Sequence, residues 1–335
     1  MRKRLLAVGN AKIRPVLPVT RTRVNKSSFD FHERGHHHQH LVRQAKTRKP
    51  IRTAVVHPVD TDSLLGAIEA AKANLIVPVL VGPTCKIQAA AHQAKIDISA
   101  YELVPTEHSH AAAAQAVELA CDHKVEGLMK GSLHTDEFMS AIVHEEKLRT
   151  ARRMSHVFVI DAPCYPRLLF VTDAAINIYP TVEEKVDIVQ NAIELAHVLG
   201  LDRPKVAILS AVETVSPKIK STLDAAVLCK MADRGQITGG ILDGPLAFDN
   251  AVSADAAKIK GIVTPVAGRA DIFVVPDLDS GNMLAKQLEY LAGAQMAGIV
   301  IGARVPIVLT SRADLTQARL ASCAIALLLA RNMNE

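Results

Sequence analysis

From Ile51 onward, short apolar runs alternate with longer stretches whose apolar residues recur every three to four positions. The runs "RTAVVHP", "IVPVLVGP", "VEGLMKG", "SHVFVID", "LLFVTDAA", "KVAILSAVE", "ITGGILDGP", "ADIFVVPD", "MAGIVIG" and "VPIVLTS" are rich in β-branched residues and bounded by Gly, Pro or polar residues, so they predict strands. The stretches "DTDSLLGAIEAAKAN", "HSHAAAAQAVELACDHK", "DEFMSAIVHEEKL", "TVEEKVDIVQNAIELAHVLG" and "STLDAAVLCKMADRG" predict helices between them. Asp60 or Asp62 supplies the first cap, Thr181 and Glu184 have the spacing of a capping box, and Gly200 and Gly235 stop their helices. Such alternation predicts an α/β fold, an open and largely parallel sheet with helices on both faces. The last apolar run, Val305 to Leu309, breaks at Thr310-Ser311-Arg312-Ala313-Asp314, and a helix is predicted from Leu315.

In open α/β sheets ligands bind outside the carboxyl ends of the strands. Polar, charged and small residues follow most apolar runs: Lys130, Gly131, Ser132 and Thr135; Thr172, Asp173 and Asn177; Ser210 and Glu213; Asp243, Gly244, Pro245 and Asp249; Pro276, Asp277 and Asn282; Thr310, Ser311, Arg312 and Asp314. They predict a rim at one edge of the sheet for a ligand rich in oxygen atoms. Arg312, beside a helix start, combines a planar donor fork with the favourable dipole end. Asp314 has two readings, a ligand contact or a cap, since Asp314 and Gln317 have capping-box spacing. Lys130-Gly131 before a helix predicts a phosphate cradle, though without the Walker frame. His134 is either an acid or base near neutrality or an ordinary loop residue. Asp243 and Asp249 are carboxylates either for a divalent metal or for capping and ion pairs; no ligand spacing argues for a metal. No GxGxxG follows a strand and no G-x-S-x-G occurs, which counts against a Rossmann dinucleotide grip and an α/β-hydrolase.

Composition narrows this picture without redirecting it. With 335 residues, 49% hydrophobic and 3% aromatic, the chain is long enough for two domains or one large one, with buried Ala/Val/Ile/Leu strands. No apolar stretch is long enough for a membrane span, and the basic start precedes no apolar segment of a signal peptide. Cys85, Cys121, Cys164, Cys229 and Cys323 form no CxxC pair, as expected of thiols in a reducing cytoplasm. The formal charge of +5 divides into +11 on residues 1–50 (13 basic, 2 acidic) and −6 on the rest (26 basic, 32 acidic). Residues 1–50, with "HERGHHHQH", are expected to be a solvated, dispensable extension rather than a nucleic-acid or metal-binding arm.

The stretches "LMKGSLHTDEFM", "FVTDAAINIYP", "QNAIELAHVLG", "KVAILSAVETV", "STLDAAVLCKMADRGQITGGILDGPLAFDNAVS", "KGIVTPVAGRADIFVVPDLDSGNMLAKQLEYLA", "AGIVIGARVPIVLTSRAD" and "RLASCAIAL" carry a resemblance to the phosphate acetyl/butyryl transferase family, nearest to the branch fused to a hydratase-like domain. The resemblance implies two doubly wound α/β domains around a cleft, similar to isocitrate and isopropylmalate dehydrogenases. Residues 51–154 plus 299–335 would form the first domain and 155–298 the second. It implies acyl transfer between acyl phosphate and coenzyme A, with CoA as substrate and no cofactor or metal, and commonly a homodimer. Ser311 and Arg312 match the family's Ser-Arg pair, which contacts phosphate and the carbonyl oxygen. Where the acetyl branch carries a catalytic Asp, this chain has Ala318, which leaves Asp314 or the substrate's own phosphate to take the thiol proton. From the rim of polar residues after the apolar runs, Lys130, Gly131, Ser132, Thr135, Asp173, Asp249 and Asn282 are the expected substrate-binding residues. A metal-dependent NAD(P) dehydrogenase of the related fold and a non-catalytic relative stand as alternatives.

Overall fold

The computed structural model describes residues 33–310 and 316–333. In chain order the elements are α1 (His36–Ala45), β1 (Ile51–Val56), α2 (Thr61–Lys72), β2 (Ile76–Gly82), α3 (Thr84–Ala94), β3 (Glu102–Pro105), α4 (Ser109–Cys121), β4 (Gly127–Lys130) and α5 (Thr135–Val143). There follow β5 (Ser155–Asp161), β6 (Leu169–Thr172), α6 (Val182–Val198), β7 (Lys205–Leu209), α7 (Lys220–Asp233), β8 (Ile241–Leu246), α8 (Phe248–Val252) and α9 (Ala254–Ile259). The chain then forms β9 (Ile272–Val274), α10 (Leu278–Leu291), β10 (Gln295–Ile301), β11 (Ile307–Val308) and α11 (Thr316–Met333). Local chemistry sets several boundaries. Asp60 caps α2 by accepting from Ser63 N–H at 2.7 Å, and Thr181 and Glu184 form the reciprocal capping box of α6. Gly200 and Gly235, just past the ends of α6 and α7, take positive φ, a conformation open to glycine without Cβ strain.

Among the described residues the strands join one sheet in the order β3-β2-β1-β4-β11-β10-β5-β6-β9-β7-β8. Most pairings are parallel, but β11–β10, β10–β5 and β5–β6 are antiparallel. The strands of the two halves therefore run in opposite senses. The carboxyl ends of β1, β2, β4 and β11 lie at one edge, and those of β6, β9, β7 and β8 at the other. The single polar rim expected from the sequence is thereby divided in two, because a hairpin and an antiparallel step intervene at mid-sheet.

Alternation along the strands separates the core into layers. On one face Val55, Met129, Val308, Ile299, Val157, Phe170 and Ile208 pack under α1, α2, α3, α11, α6 and α7 as one continuous apolar cluster. The other face has two clusters: one under α4 and α5, the other under α8, α9 and α10. Between them, beside Lys130, Leu309 and Phe158, that face borders a cavity.

Residues 36–45 correct the expectation of a solvated extension. α1 packs into the continuous cluster through Leu41 and Ala45, both buried. Its start is held by β5: the backbone N–H groups of His37 and His38 donate to Asp161 Oδ2 at 2.7 and 3.2 Å, and the His38 ring meets Val159 O at 3.1 Å. The basic composition of residues 1–50 concealed a short amphipathic segment, "HLVRQA", in which Leu41 and Ala45, four residues apart, share one helix face.

Candidate active site

This stretch of the sheet borders a cavity of about 270 Å³ lined by Lys130, Leu133, His134, Thr135, His156, Phe158, Ala175, Asn282, Lys286, Leu309 and Thr310. Strand register explains the arrangement. Met129 pairs with Val308, Ile299 with Val308, and Gly298 with Phe158, so Lys130, Leu309, Gly298 and Phe158 form one row across four strands. By the two-residue period of a strand, their side chains, with His156, face the cavity.

Each wall is set by its own element. Lys130 ends β4 with only 5% of its surface exposed, and its Nζ reaches Gly131 O at 3.3 Å. α5 begins immediately after. His134 stands at its N-cap position with no side-chain cap, so the first turn opens beside His134 and Thr135, both in the lining. Such an end carries partial positive charge and unsatisfied N–H groups. On the opposite wall Asn282 and Lys286 lie one turn apart on α10. Asn282 Nδ2 donates to Ala174 O at 3.2 Å and ties α10 to the loop after β6. Lys286 pairs with Glu289 at 2.9 Å and sits 5.7 Å from the Tyr290 ring centroid.

The structure thus assembles Lys130, Thr135 and Asn282 from the expected substrate set, and treats the others differently. Gly131 is required for space: a Cβ would meet the backbone carbonyls of Val56 and His57, the latter at 2.9 Å. Its N–H donates to Val56 O and that of Ser132 to His57 O, each at 2.9 Å. These amides hold the turn against β1 and do not form the phosphate cradle that the sequence suggested. The Ser132 hydroxyl bonds Asp60: burial raises the Asp60 pKa, but hydrogen bonds from Ser132 and Ser63 outweigh it and hold the carboxyl below its usual value. Asp173 is saturated by its own loop. Its Oδ1 accepts from the N–H groups of Ala175 (2.9 Å) and Ile176 (3.0 Å), and its Oδ2 from His156 N–H (3.0 Å) and Asn177 Nδ2 (2.6 Å). Its loop contributes Ala175 to the cavity lining. Asp249 is not in the cavity lining: it follows β8, at the far end of the sheet from β3, and pairs with Lys260 at 3.3 Å. Ser311, Arg312 and Asp314 lie outside the described residues; Thr310, in the lining, is the residue before them.

His156, Phe158 and Lys286 were not singled out in the sequence. The signal for the first two was present in "SHVFVID", where a histidine and a phenylalanine alternate with valines on one face. Lys286 is visible only once α10 is known to face the cavity. Burial pushes the His156 ring down to about 4, against the opposing pull of Asp173, and its edge meets the Phe158 face at 4.4 Å between centroids. His156 Nδ1 is buried with no hydrogen-bond partner among the described residues.

Two lysines and a helix start without a side-chain cap thus meet at one cavity on a sheet whose strand direction reverses. The phosphate acetyl/butaryl transferase family model matches residues 107–327, and the chain belongs to that family; it is an acyltransferase. A phosphate acetyltransferase from Rhizobium meliloti is 60% identical over 291 residues, covering 87% of this chain and 92% of the relative. A phosphate butyryltransferase from Clostridium acetobutylicum is 41% identical, covering 87% and 97%. The crystal structure of a branched-chain phosphotransacylase from Enterococcus faecalis superposes with a TM-score of 0.72 at 30% identity, covering 83% of this chain and 99% of that one.

Proposed function

We propose that the cleft between α5 and α10 holds acyl phosphate and presents its carbonyl carbon to the thiol of coenzyme A. The observation that carries this assignment is the uncapped start of α5 opening into a cavity that Lys130 and Lys286 also line. A phosphate dianion gains there from backbone N–H groups, the helix dipole and two ammonium groups at once. Thr135 and Thr310 add hydroxyls. Ser311 and Arg312 continue the chain from Thr310, and their match to the family's Ser-Arg pair assigns them to phosphate and carbonyl oxygen. The thiol of coenzyme A, with a reference pKa of about 8.5, forms the new bond to carbon. The carbon–oxygen bond to phosphorus breaks, and phosphate leaves carrying the thiol proton. This accounts for the reaction without a carboxylate at Ala318, and Asp314 remains the alternative base. The apolar part of the lining, Leu133, Phe158, Ala175 and Leu309, accommodates a short acyl chain.

Lys130→Met tests the site. It keeps the stem and removes the charge, so KM for acetyl phosphate is expected to rise at least tenfold, on the scale of about 1.5–3 kcal/mol for a charged hydrogen bond, with KM for coenzyme A unchanged. An unchanged KM for acetyl phosphate would remove the cavity from substrate binding.

We further propose that residues 51–154 plus 299–335 and residues 155–298 act as two lobes around this cleft, in the manner of isocitrate and isopropylmalate dehydrogenases. The reversal of strand direction at β10, β5 and β6 supports that division. A cytoplasmic homodimer with no metal or cofactor, coenzyme A being a substrate, completes the proposal. Exposed Met283, Tyr290 and Leu291 on α10 favour self-association. Sedimentation as a monomer, or loss of activity on chelation, would count against these points.

A further inference from the structure

Resting on this assignment of the cleft, we infer that His156 is a catalytic residue whose ring N–H donates to the acyl carbonyl oxygen as it becomes an oxyanion. Three observations converge. His156 is 1% exposed and lines the cavity shared by Lys130, Thr135 and Thr310. Among the described residues its Nδ1 has no hydrogen-bond partner although buried, and a buried polar atom left unsatisfied needs a reason. The ring is also closely packed: a Cβ at Gly298 on β10 would meet the backbone oxygen of Leu309 first and His156 Nε2 at 3.0 Å, and the His156 and Phe158 rings lie T-shaped with centroids 4.4 Å apart.

The same burial decides between two roles. Desolvation lowers the ring to about 4, so at neutral pH it is an uncharged imidazole with one N–H. As a base toward a thiol of pKa about 8.5 it would work uphill by more than roughly ten-thousandfold in the proton equilibrium. As a donor it needs no proton transfer. When the thiol sulfur bonds to the carbonyl carbon, the π pair moves onto oxygen, and a preorganised donor in a dry pocket stabilises the charge formed there. On collapse the pair returns, the carbon–oxygen bond to phosphate breaks with its electrons on phosphate, and the thiol proton ends on phosphate. The imidazole begins and ends neutral. Nothing in the sequence reading, which took "SHVFVID" only as a strand, assigns this role.

Steady-state kinetics of the full chain with acetyl phosphate and coenzyme A test it. His156→Leu removes the donor at similar volume, and His156→Asn restores an N–H near the Nδ1 position. We expect kcat to fall by about 10²–10³-fold in the leucine variant, with KM for acetyl phosphate little changed. The asparagine variant should recover at least tenfold of that loss. Because Nδ1 has no partner among the described residues, His156→Leu should melt at or above the wild-type temperature. Wild-type kcat in His156→Leu overturns the role, and so does an equal loss in both variants accompanied by lowered melting temperatures, which would mark a packing role. The kcat readout is separate from the acetyl phosphate KM of Lys130→Met, so failure of the histidine role and failure of the cleft as the phosphate site are distinguishable.

Discussion

Phe158 and Lys130 occupy one row of the sheet and line one cavity. In the proposed assignment Lys130 takes the anionic end of the substrate and Phe158 the hydrocarbon end. The neighbouring side chains decide this, since the row itself is only backbone register. Phe158 also limits how far an acyl chain can extend across β5. Truncation to Ala removes most of that wall, so kcat/KM for butyryl phosphate relative to acetyl phosphate should rise. Two added methylenes at about 0.8 kcal/mol each correspond to roughly tenfold. Competition of the two acyl phosphates in one reaction measures it, and an unchanged ratio would place the acyl chain elsewhere.

α1 shows how an element can hide in unfavourable composition. Four of its ten residues are histidine and one is arginine. Leu41 and Ala45 nevertheless complete the apolar layer that also carries α11, the helix that follows residues 311–315. A chain beginning at Ile51 loses Leu41, Ala45 and the Asp161 contacts together. Losing about 4 kcal/mol of burial lowers the melting temperature by about 6 °C in a protein of this size. A chain beginning at Glu33 should melt like the full-length protein. Thermal unfolding of the two separates α1 from the segment before it; equal melting temperatures for the Ile51 and Glu33 chains would show that α1 stabilises nothing. α5 makes the complementary point. Its value lies in a cap it lacks, because a side-chain oxygen at position 134 would occupy the amides that face the cavity.

For the whole molecule, two buried histidines link stability to pH. His38 and His156 both lie near 4, each chiefly through burial. Asp161 opposes the shift at His38 and His37 reinforces it, while Asp173 opposes it at His156. In the unfolded chain each histidine titrates near 6.5. Between about pH 6.5 and 4 the unfolded state binds more protons, so stability falls as pH is lowered through that window and is fully present above it. Each group can contribute on the order of 3 kcal/mol. Urea unfolding at successive pH values should give a slope shared by both groups, and His156→Leu should remove part of it. A stability independent of pH between 4 and 6.5 would contradict the burial of these rings. Among the described residues no helix is long and apolar enough to cross a membrane.

The sequence by itself determined most strands and helices of the body, though not α3 and β3, because hydrophobic period and caps such as Thr181–Glu184 are local properties. It also marked Lys130, Thr135 and Asn282, which stand just beyond apolar runs. It could not separate them from Asp249 or Ser132, since the same polar residue after a strand caps, pairs or binds according to which strand lies beside it. Strand direction is likewise decided by non-local pairing. The antiparallel steps at β10, β5 and β6 divided the expected rim and set β5 beside the cavity. His156 entered the site for that reason alone: in the sequence it is one polar residue in a strand, and only tertiary packing buries its ring, leaves Nδ1 without a partner among the described residues and places it in one cavity lining with Lys130.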